Sequence, residues 1–103
     1  MDYEVVWTEP ALDDFEAIVL YLARRSLSGA ESVQVAILEH TDILANFPYI
    51  GPIYLGDPTG TTREVVCHSY RIFYRVDSDL KQVNVLSVWH AARGEPELPD
   101  NSG

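Results

Sequence analysis

The chain has 103 residues, 47% of them hydrophobic, and a formal net charge of −9, which suits one folded domain and is too apolar for a disordered chain. No apolar run reaches the roughly 18 residues of a membrane span, and the acidic N-terminus is unlike a signal peptide, so we expect a cytoplasmic protein. A single cysteine, Cys67, excludes an internal disulfide and a multi-thiolate zinc site, and we expect it to act as a buried small hydrophobe. We predict one domain over residues 1–95 and an acidic, flexible tail over residues 96–103.

The negative charge is unevenly distributed along the sequence. Residues 1–50 hold nine acidic and two basic residues, whereas residues 62–93 hold five basic and three acidic ones. Such a division indicates either that one surface binds an anion or an acidic partner, or that the two halves of a small protein differ in net charge by chance.

The first elements are a strand followed at once by a helix. An aromatic and β-branched run covers residues 3–7, and Thr8 and Pro10 then suit the cap and first turn of a helix that ends near residues 24–25. The adjacent Asp13 and Asp14 read as a first-turn charge pair favoured by the positive end of the helix. Its predicted apolar stripe is Leu12, Phe15, Ile18, Val19 and Leu22.

A second helix follows after a short connection. Ser28 and Glu31 have the spacing of a capping box, and Pro48 is expected to stop the helix. Its predicted stripe is Val33, Ile37, His40, Leu44 and Phe47. The short link predicts an antiparallel helical hairpin, which needs a third layer to cover its apolar faces.

The second half of the chain has the pattern of a sheet. Residues 48–62 have loop composition with a short extended piece near residues 53–55, and three strands are predicted over residues 63–67, 71–76 and 83–89. Short turns between them require antiparallel pairing. The predicted fold is α+β, in the order β-α-α-β-β-β, with a helical hairpin packed on a small, mainly antiparallel sheet. Alternation along the middle strand gives it an apolar face for the helices and a second face that bears Arg71, Phe73 and Arg75.

Three sequence segments, combined with this order of elements, resemble a known family over roughly residues 3–93. They are FPYIG at the end of the second helix, HSYRIFYRV in the middle strand, and VWHAAR at the end of the last strand. In combination they are similar to the RelE/ParE superfamily of toxins from type II toxin-antitoxin systems.

The resemblance implies a bacterial toxin that a cognate antitoxin holds inactive. In the RelE branch it implies a ribosome-dependent mRNA endonuclease, and in the ParE branch a protein that poisons DNA gyrase. The motifs look closer to ParE and to plasmid stabilisation proteins. A diverged, non-toxic member that still binds its antitoxin is a further alternative.

Four arginines are the predicted target-binding residues: Arg63, Arg71, Arg75 and Arg93. By the resemblance, Arg71 lies near the scissile phosphate in the endonuclease branch, where a guanidinium suits the developing charge. The alternative for Arg71 is a cross-strand ion pair with Glu64. Arg75 and Arg71 flank Phe73, which suits either a phosphate and a stacked base or simple packing of arginines on a sheet aromatic.

His90 is the candidate acid-base group, and with Arg71 it forms the predicted catalytic pair if the chain is an endonuclease. His40 falls on the apolar stripe of the second helix and reads as a core or interface residue, and His68 reads as an exposed turn residue. The chain has one lysine, Lys81, and no tyrosine after Tyr74, so it departs from the lysine cluster and terminal tyrosine of ribosome-dependent nucleases. A net charge of −9 also suits nucleic acid poorly.

We therefore favour a ParE-like toxin that acts by binding rather than catalysis, with no metal and no cofactor. The expected partners are a cognate antitoxin and DNA gyrase, ahead of the ribosome and mRNA, with no membrane. The antitoxin is expected on the outer side of the helical hairpin, where Tyr21, Leu27 and Val35 are predicted to be partly exposed. The sequence leaves open whether the chain forms a homodimer.

Overall fold

The computed structural model describes residues 2–94, 96 and 98, so the predicted tail falls outside the described residues except at those two positions. The elements are β1 (Glu4–Trp7), α1 (Glu9–Ala23), α2 (Leu27–Ile43), β2 (Thr62–Cys67), β3 (Tyr70–Asp77), β4 (Gln82–His90) and a 3-10 turn at Ala91–Arg93. The predicted order is confirmed, and each predicted strand of the second half is correct to within one residue at either end.

The four strands form one mixed sheet in the order β1-β4-β3-β2. β3 pairs antiparallel with both β2 and β4, and β1 pairs parallel with β4. β1 and β4 can pair in parallel because a long connection separates them. The helical hairpin carries the chain from β1 to the opposite edge of the sheet, where β2 lies. Both helices lie on one face, with α1 packed on β4 and α2 nearer β2, which confirms the α+β prediction.

The start of α1 is fixed to the sheet as well as capped. Thr8 accepts a hydrogen bond from the Ala11 amide through Oγ1 (3.4 Å), and the same hydroxyl donates to the Val85 carbonyl in β4 (2.7 Å). Pro10 lies in the first turn, as predicted. The helix therefore begins where the sequence signals place it, with its first turn held against β4.

The predicted capping box of α2 is wrong. Ser26 caps the helix and accepts from the Gly29 amide (3.0 Å), so Ser28 lies inside the first turn rather than at the cap. Ser26 has the extended backbone that a cap requires (φ −162°, ψ 117°), two residues before the predicted position. The helix also ends at Ile43, several residues before the Pro48 that was expected to stop it.

The main core lies between the helices and the sheet. Ile72 and Tyr74 of β3 are fully buried on this face. The core consists of two clusters, and their further buried members are Ala11, Ile37, Cys67, Tyr70, Val85 and Val88 in the first and Leu44 and Val83 in the second.

The predicted stripes are wrong at one position in each helix. Leu12 is 51% exposed, because the sheet-facing row of α1 starts one residue earlier, at the fully buried Ala11. The small Ala11 side chain allows α1 to approach β4 closely. Phe47 is 60% exposed because it follows the end of α2 and so no longer obeys the helical period.

A β-bulge interrupts the pairing of β3 with β4. The register shifts by one residue between Phe73, which pairs with Ser87, and Tyr74, which pairs with Val85. Val85 and Val88, three residues apart, consequently both face the helices. The extra residue leaves the Ser87 hydroxyl able to reach α1.

The loop between α2 and β2 folds back over the sheet edge. Ile53 forms an isolated bridge with Arg63, which agrees with the predicted extended piece. The Gly51 amide donates to the buried Tyr74 hydroxyl (2.9 Å), and a Cβ at Gly51 would lie 2.6 Å from the Glu64 carbonyl oxygen. Glycine is therefore required here by the close approach of the loop. Across residues 2–94, 96 and 98, no helix has the length and apolar character needed to cross a bilayer.

Candidate functional site

Arg71 lies on the second face of the sheet, the face that points away from the helices. Its Nε donates to the Glu64 carboxylate of the neighbouring β2, which is the cross-strand pair considered from the sequence. The guanidinium also packs over the Phe73 ring (5.0 Å to the centroid) and over Tyr54 (5.5 Å). A further contact joins it to the Gly94 carbonyl (3.4 Å). Much of the hydrogen-bonding capacity of Arg71 is therefore taken by the protein itself.

Arg75 lies on the same face and is held by Asp57, a loop residue that the sequence reasoning missed. Its guanidinium lies 3.3 Å from Asp57 Oδ2, and its Nε lies 3.3 Å from the Thr62 hydroxyl. Asp57 also accepts from the Thr62 hydroxyl and, at 3.0 and 2.8 Å, from the Thr59 amide and hydroxyl. The bonds from Thr62 and Thr59, with Arg75, hold the pKa of the Asp57 carboxyl well below its ordinary range.

Asp57 could have been recognised from sequence as a turn residue. An aspartate whose side chain bonds the amide two residues later is a common loop signal, and Asp57 and Thr59 have that spacing. The pairing with Arg75, which lies 18 positions further along the chain, has no local signature.

Arg93 lies in the 3-10 turn after β4 and is exposed. Its guanidinium is 5.9 Å from the centroid of the Trp89 ring. The Trp89 indole donates to the Gly94 carbonyl (3.0 Å), the same oxygen that Arg71 contacts. The turn therefore brings the C-terminal end of β4 close to Arg71 while leaving the Arg93 charge open to solvent.

Arg63 is separated from the other three arginines. It pairs with Tyr74 across β2 and β3, and so it lies on the helix side of the sheet. There its guanidinium donates to the Gly51 carbonyl (2.7 Å) and packs over Tyr49 (5.1 Å). The structure thus places Arg71 and Arg75 on one face, Arg93 at its end, and Arg63 on the opposite face.

His90 also faces the helix side. It pairs with Tyr70, and the two rings meet edge to face at 5.2 Å. Its Nδ1 accepts from the Ala92 amide (3.1 Å), an acceptor role that places the proton of the neutral ring on Nε2. Arg71 pairs with Trp89, one residue before His90, so alternation along the strand points Arg71 and His90 to opposite faces. The predicted catalytic pair does not converge.

The other candidate groups lie outside this region. His40 is half-buried on α2 with its Nδ1 2.8 Å from the Ala36 carbonyl, and His68 is exposed in the β2–β3 turn with φ 54°, as predicted. Cys67 is buried in the core, and that burial raises the pKa of its thiol. Within the described part of the chain, no three His, Cys, Asp or Glu side chains are grouped to hold a metal ion.

Asp14 has a role that the reading as a helix charge pair did not include. Its Oδ2 accepts from the Ser87 hydroxyl and from the Val88 amide, each at 3.0 Å, so it ties α1 to the bulged part of β4. The neighbouring Asp13 is exposed, but both aspartates follow the first turn of α1, whose acidic residue is Glu9, so the prediction of a first-turn charge pair is wrong. No sequence signal reveals the Asp14 contact, because it depends on the bulge.

Large apolar side chains are exposed along the helical hairpin. Tyr21 is 54%, Leu27 77% and Val35 49% exposed, which confirms the sequence prediction for these three residues. Leu20 on α1 and Leu38 on α2 are exposed as well. An apolar surface on acidic helices is typical of a protein-binding site rather than of a nucleic-acid interface.

Comparison with known proteins agrees with this architecture. Residues 5–94 match the family described as the ParE toxin of the type II toxin-antitoxin system parDE. Toxin RelE2 of Caulobacter vibrioides is 36% identical over 91 residues, which span 87% of this chain and 97% of that protein. The chain therefore belongs to the ParE toxin family, within the RelE/ParE superfamily of type II toxin-antitoxin toxins.

Solved structures share the fold. A chain of the toxin-antitoxin complex RelBE2 from Mycobacterium tuberculosis superposes with a TM-score of 0.67 and 22% identity, over 87% of this chain and 99% of that one. A chain of the chromosomal ParDE system from P. aeruginosa gives a TM-score of 0.70 and 19% identity, over 86% and 96%. These likenesses establish the fold and do not separate a RelE-like from a ParE-like mode of action.

Proposed function

We propose that this toxin acts by binding its target, with DNA gyrase as the target class that the ParE resemblance implies, and that a cognate antitoxin neutralises it. A RelE-like endonuclease is the alternative. The two modes differ in what they demand of Arg71 and His90, because a nuclease needs both groups at one phosphate.

The main observation in support of a binding mode is that Arg71 and His90 lie on opposite faces of the sheet. Arg71 lies on the second face with its charge engaged by Glu64, and His90 lies on the helix side with Nδ1 engaged by a backbone amide. An endonuclease that lacks a metal requires a base, an acid and a cation around the scissile phosphate. The arrangement supports binding because no such set converges among the candidate residues.

Charge supports the same mode. The arginines of the second face are balanced locally by Glu64 and Asp57, and the whole chain carries a formal charge of −9. A protein that grips RNA gains affinity by releasing counterions from phosphates, which needs a net positive surface. A protein target places no such requirement on the toxin.

Induced expression in cells tests the mode of action. We expect filamentation and DNA damage with translated messages intact, and we expect His90→Ala to retain most of the effect because His90 carries out no proton transfer. A nuclease would instead lose about 10² to 10⁴ in rate on that change. Rapid, codon-dependent message cleavage that His90→Ala abolishes would favour the RelE-like alternative.

The proposed antitoxin surface is the outer side of the hairpin formed by α1 and α2. Exposed Leu27 and Val35 offer apolar anchors for a segment that folds on binding. Because the helices are acidic, we expect the binding segment of the antitoxin to carry more Lys and Arg than is usual for such partners. A strongly acidic segment, or one that contacts only the residues after Arg93, would contradict this assignment.

Paired substitutions test that surface. Leu27→Asp or Val35→Asp should weaken binding to the cognate antitoxin by about tenfold or more, since each places a charge in an apolar contact. Leu80→Asp is the matched control, because Leu80 is 65% exposed but lies in the β3–β4 turn. Equal loss in the control would indicate a general effect rather than a docking site.

A further inference from the structure

A cavity lies on the helix side of the sheet, between α1 and the C-terminal end of β4. Its volume is about 530 Å³, within the range of roughly 300 to 1,000 Å³ typical of small-ligand pockets. Ile18, Leu22 and Val88 supply an apolar lining, and Tyr21 and Tyr70 supply aromatic rings. We refer to it as the α1–β4 cavity.

Tyr70 is the first sign that this cavity accepts a ligand. The residue is only 6% exposed, yet its hydroxyl makes no hydrogen bond with any part of the chain that the structure describes. Among the described residues no side-chain polar atom is both buried and without a partner, so the Tyr70 hydroxyl is reached by solvent although the rest of the side chain is buried. By contrast, the buried Tyr74 hydroxyl accepts from the Gly51 amide. Tyr70 thus offers the cavity an unused donor and acceptor.

Arg93 supplies a positive charge to the lining of the same cavity. Burial is the main factor that raises the pKa of Tyr70, with a further contribution from Tyr21, whereas Arg93 lowers it. Arg93 and Tyr21 are therefore within electrostatic reach of the Tyr70 hydroxyl. None of the described carboxylates forms a salt bridge with Arg93, which leaves its guanidinium able to meet an anion.

The balance of charges limits the kind of anion. Among the described residues that line the cavity, Arg93 carries the permanent positive charge and Asp14 a negative one. Asp14 Oδ2 is already occupied by Ser87 and Val88. A dianion such as phosphate would exceed the single guanidinium and face Asp14, whereas a carboxylate matches one guanidinium with two parallel hydrogen bonds. The apolar lining then requires an apolar body on the same molecule.

We propose that the α1–β4 cavity binds a carboxylate attached to an apolar body, with Tyr70 and Arg93 holding the carboxylate and α1 contacting the apolar part. Such a group occurs in a free small acid and at the C-terminus of a peptide that ends in an apolar residue. The site shares Arg93 with the predicted target surface. Its test uses binding to the isolated chain, so its failure is distinguishable from failure of the proposed toxic mechanism.

Binding of three matched probes to the full chain, followed by amide and indole NMR shifts, tests the site. The probes are N-acetyl-phenylalanine, its neutral amide, and 2-phenylethylamine as the cation. We expect the acid to shift the resonances of Tyr70, Trp89 and His90 and to bind at least about tenfold more tightly than the amide, since charge-assisted hydrogen bonds are worth that much. Equal affinity of acid and amide, tighter binding of the amine, or no shift at the solubility limit would overturn the proposal.

Substitutions assign the binding to the two named residues. Tyr70→Phe and Arg93→Gln should each weaken binding of the acid about five- to tenfold and leave the weak binding of the amide unchanged. Lys81→Gln is the control, because Lys81 also lies over an aromatic ring, Tyr3 at 5.4 Å, but at the opposite end of the β3–β4 hairpin. Acid binding that both variants retain in full would refute the assignment.

A short peptide that ends in phenylalanine with a free carboxylate distinguishes the two sources. Tighter binding of the peptide than of N-acetyl-phenylalanine assigns the site to a chain terminus. Weaker binding of the peptide assigns it to a small acid. Either result supports the site, provided that amidation of the carboxylate weakens binding of whichever probe binds more tightly.

Discussion

Asp57 shows how one loop carboxylate organises the second face of the sheet. It receives hydrogen bonds from Thr59 and Thr62 and an ion pair from Arg75, and its side chain is 9% exposed. Arg75 is therefore positioned by the loop, and its availability to a target depends on that pair. The Asp57 side chain thus connects the loop between α2 and β2 to the sheet.

Asp57→Asn should lower the free energy of unfolding by about 2 kcal/mol near pH 7, because bonds to a charged acceptor are replaced by weaker ones. The lowered pKa means that the carboxylate stabilises the fold fully above the unfolded pKa of about 3.9 and progressively less as pH falls below it. The difference between wild type and variant should therefore shrink below about pH 4.

Denaturant unfolding at a series of pH values measures this difference. Asp79→Asn is the matched control, since Asp79 is exposed and should change stability by no more than about 0.5 kcal/mol. A difference for Asp57→Asn that is independent of pH would contradict the role given to its charge.

Two buried tyrosines in β3 provide a second comparison at the residue scale. Tyr74→Phe should cost about 1 to 2 kcal/mol, because it leaves the buried Gly51 amide without its acceptor. Tyr70→Phe should be nearly neutral, because the Tyr70 hydroxyl makes no bond within the described chain. Thermal or denaturant unfolding of both variants measures the loss of stability. Equal losses would contradict the different hydrogen-bonding roles given to the two hydroxyls.

At the element scale, helix α1 is attached to β4 by polar contacts at two places. The Thr8 hydroxyl donates to Val85 at the start of the helix, and Asp14 accepts from Ser87 and Val88 a turn and a half further on. These contacts fix how α1 lies on the sheet, and the α1–β4 cavity opens beside them.

Asp14→Ala should destabilise the protein by about 2 to 3 kcal/mol, because it leaves two donors of β4 without their acceptor. Asp13→Ala, one residue earlier on the exposed side of the same helix, should have an effect within about 0.5 kcal/mol. Chemical denaturation of the pair measures the difference. Similar losses of stability in both variants would contradict the role of Asp14 as the acceptor that joins α1 to β4.

The elements themselves could be predicted from sequence because their signals are local. Strand alternation, the Thr8 cap and the short turns each depend on a few neighbouring residues, and all are present in the structure. Some wrong expectations arose where a competing local choice existed, as with Ser26 against Ser28 at the start of α2. The pairs Asp57–Arg75 and Asp14–Ser87 could not be predicted, because the loop path and the β-bulge that create them are properties of the assembled sheet.

At the scale of the whole molecule, the candidate residues divide between two surfaces. The second face carries Arg71 and Arg75, each with a carboxylate partner, and the helix side carries Arg63 and His90. Arg93 stands at the end of the sheet with an exposed charge. This distribution, on a chain of net charge −9, favours recognition of a protein over cleavage of RNA.

The most direct measurement compares two reactions of the purified toxin side by side: DNA supercoiling by gyrase, and cleavage of a message on translating ribosomes. Binding to gyrase predicts that the toxin inhibits supercoiling in a concentration-dependent way, that it leaves the message intact, and that His90→Ala behaves like the wild type. Cleavage of the message with supercoiling unaffected, or no effect on either reaction, would contradict the proposed function.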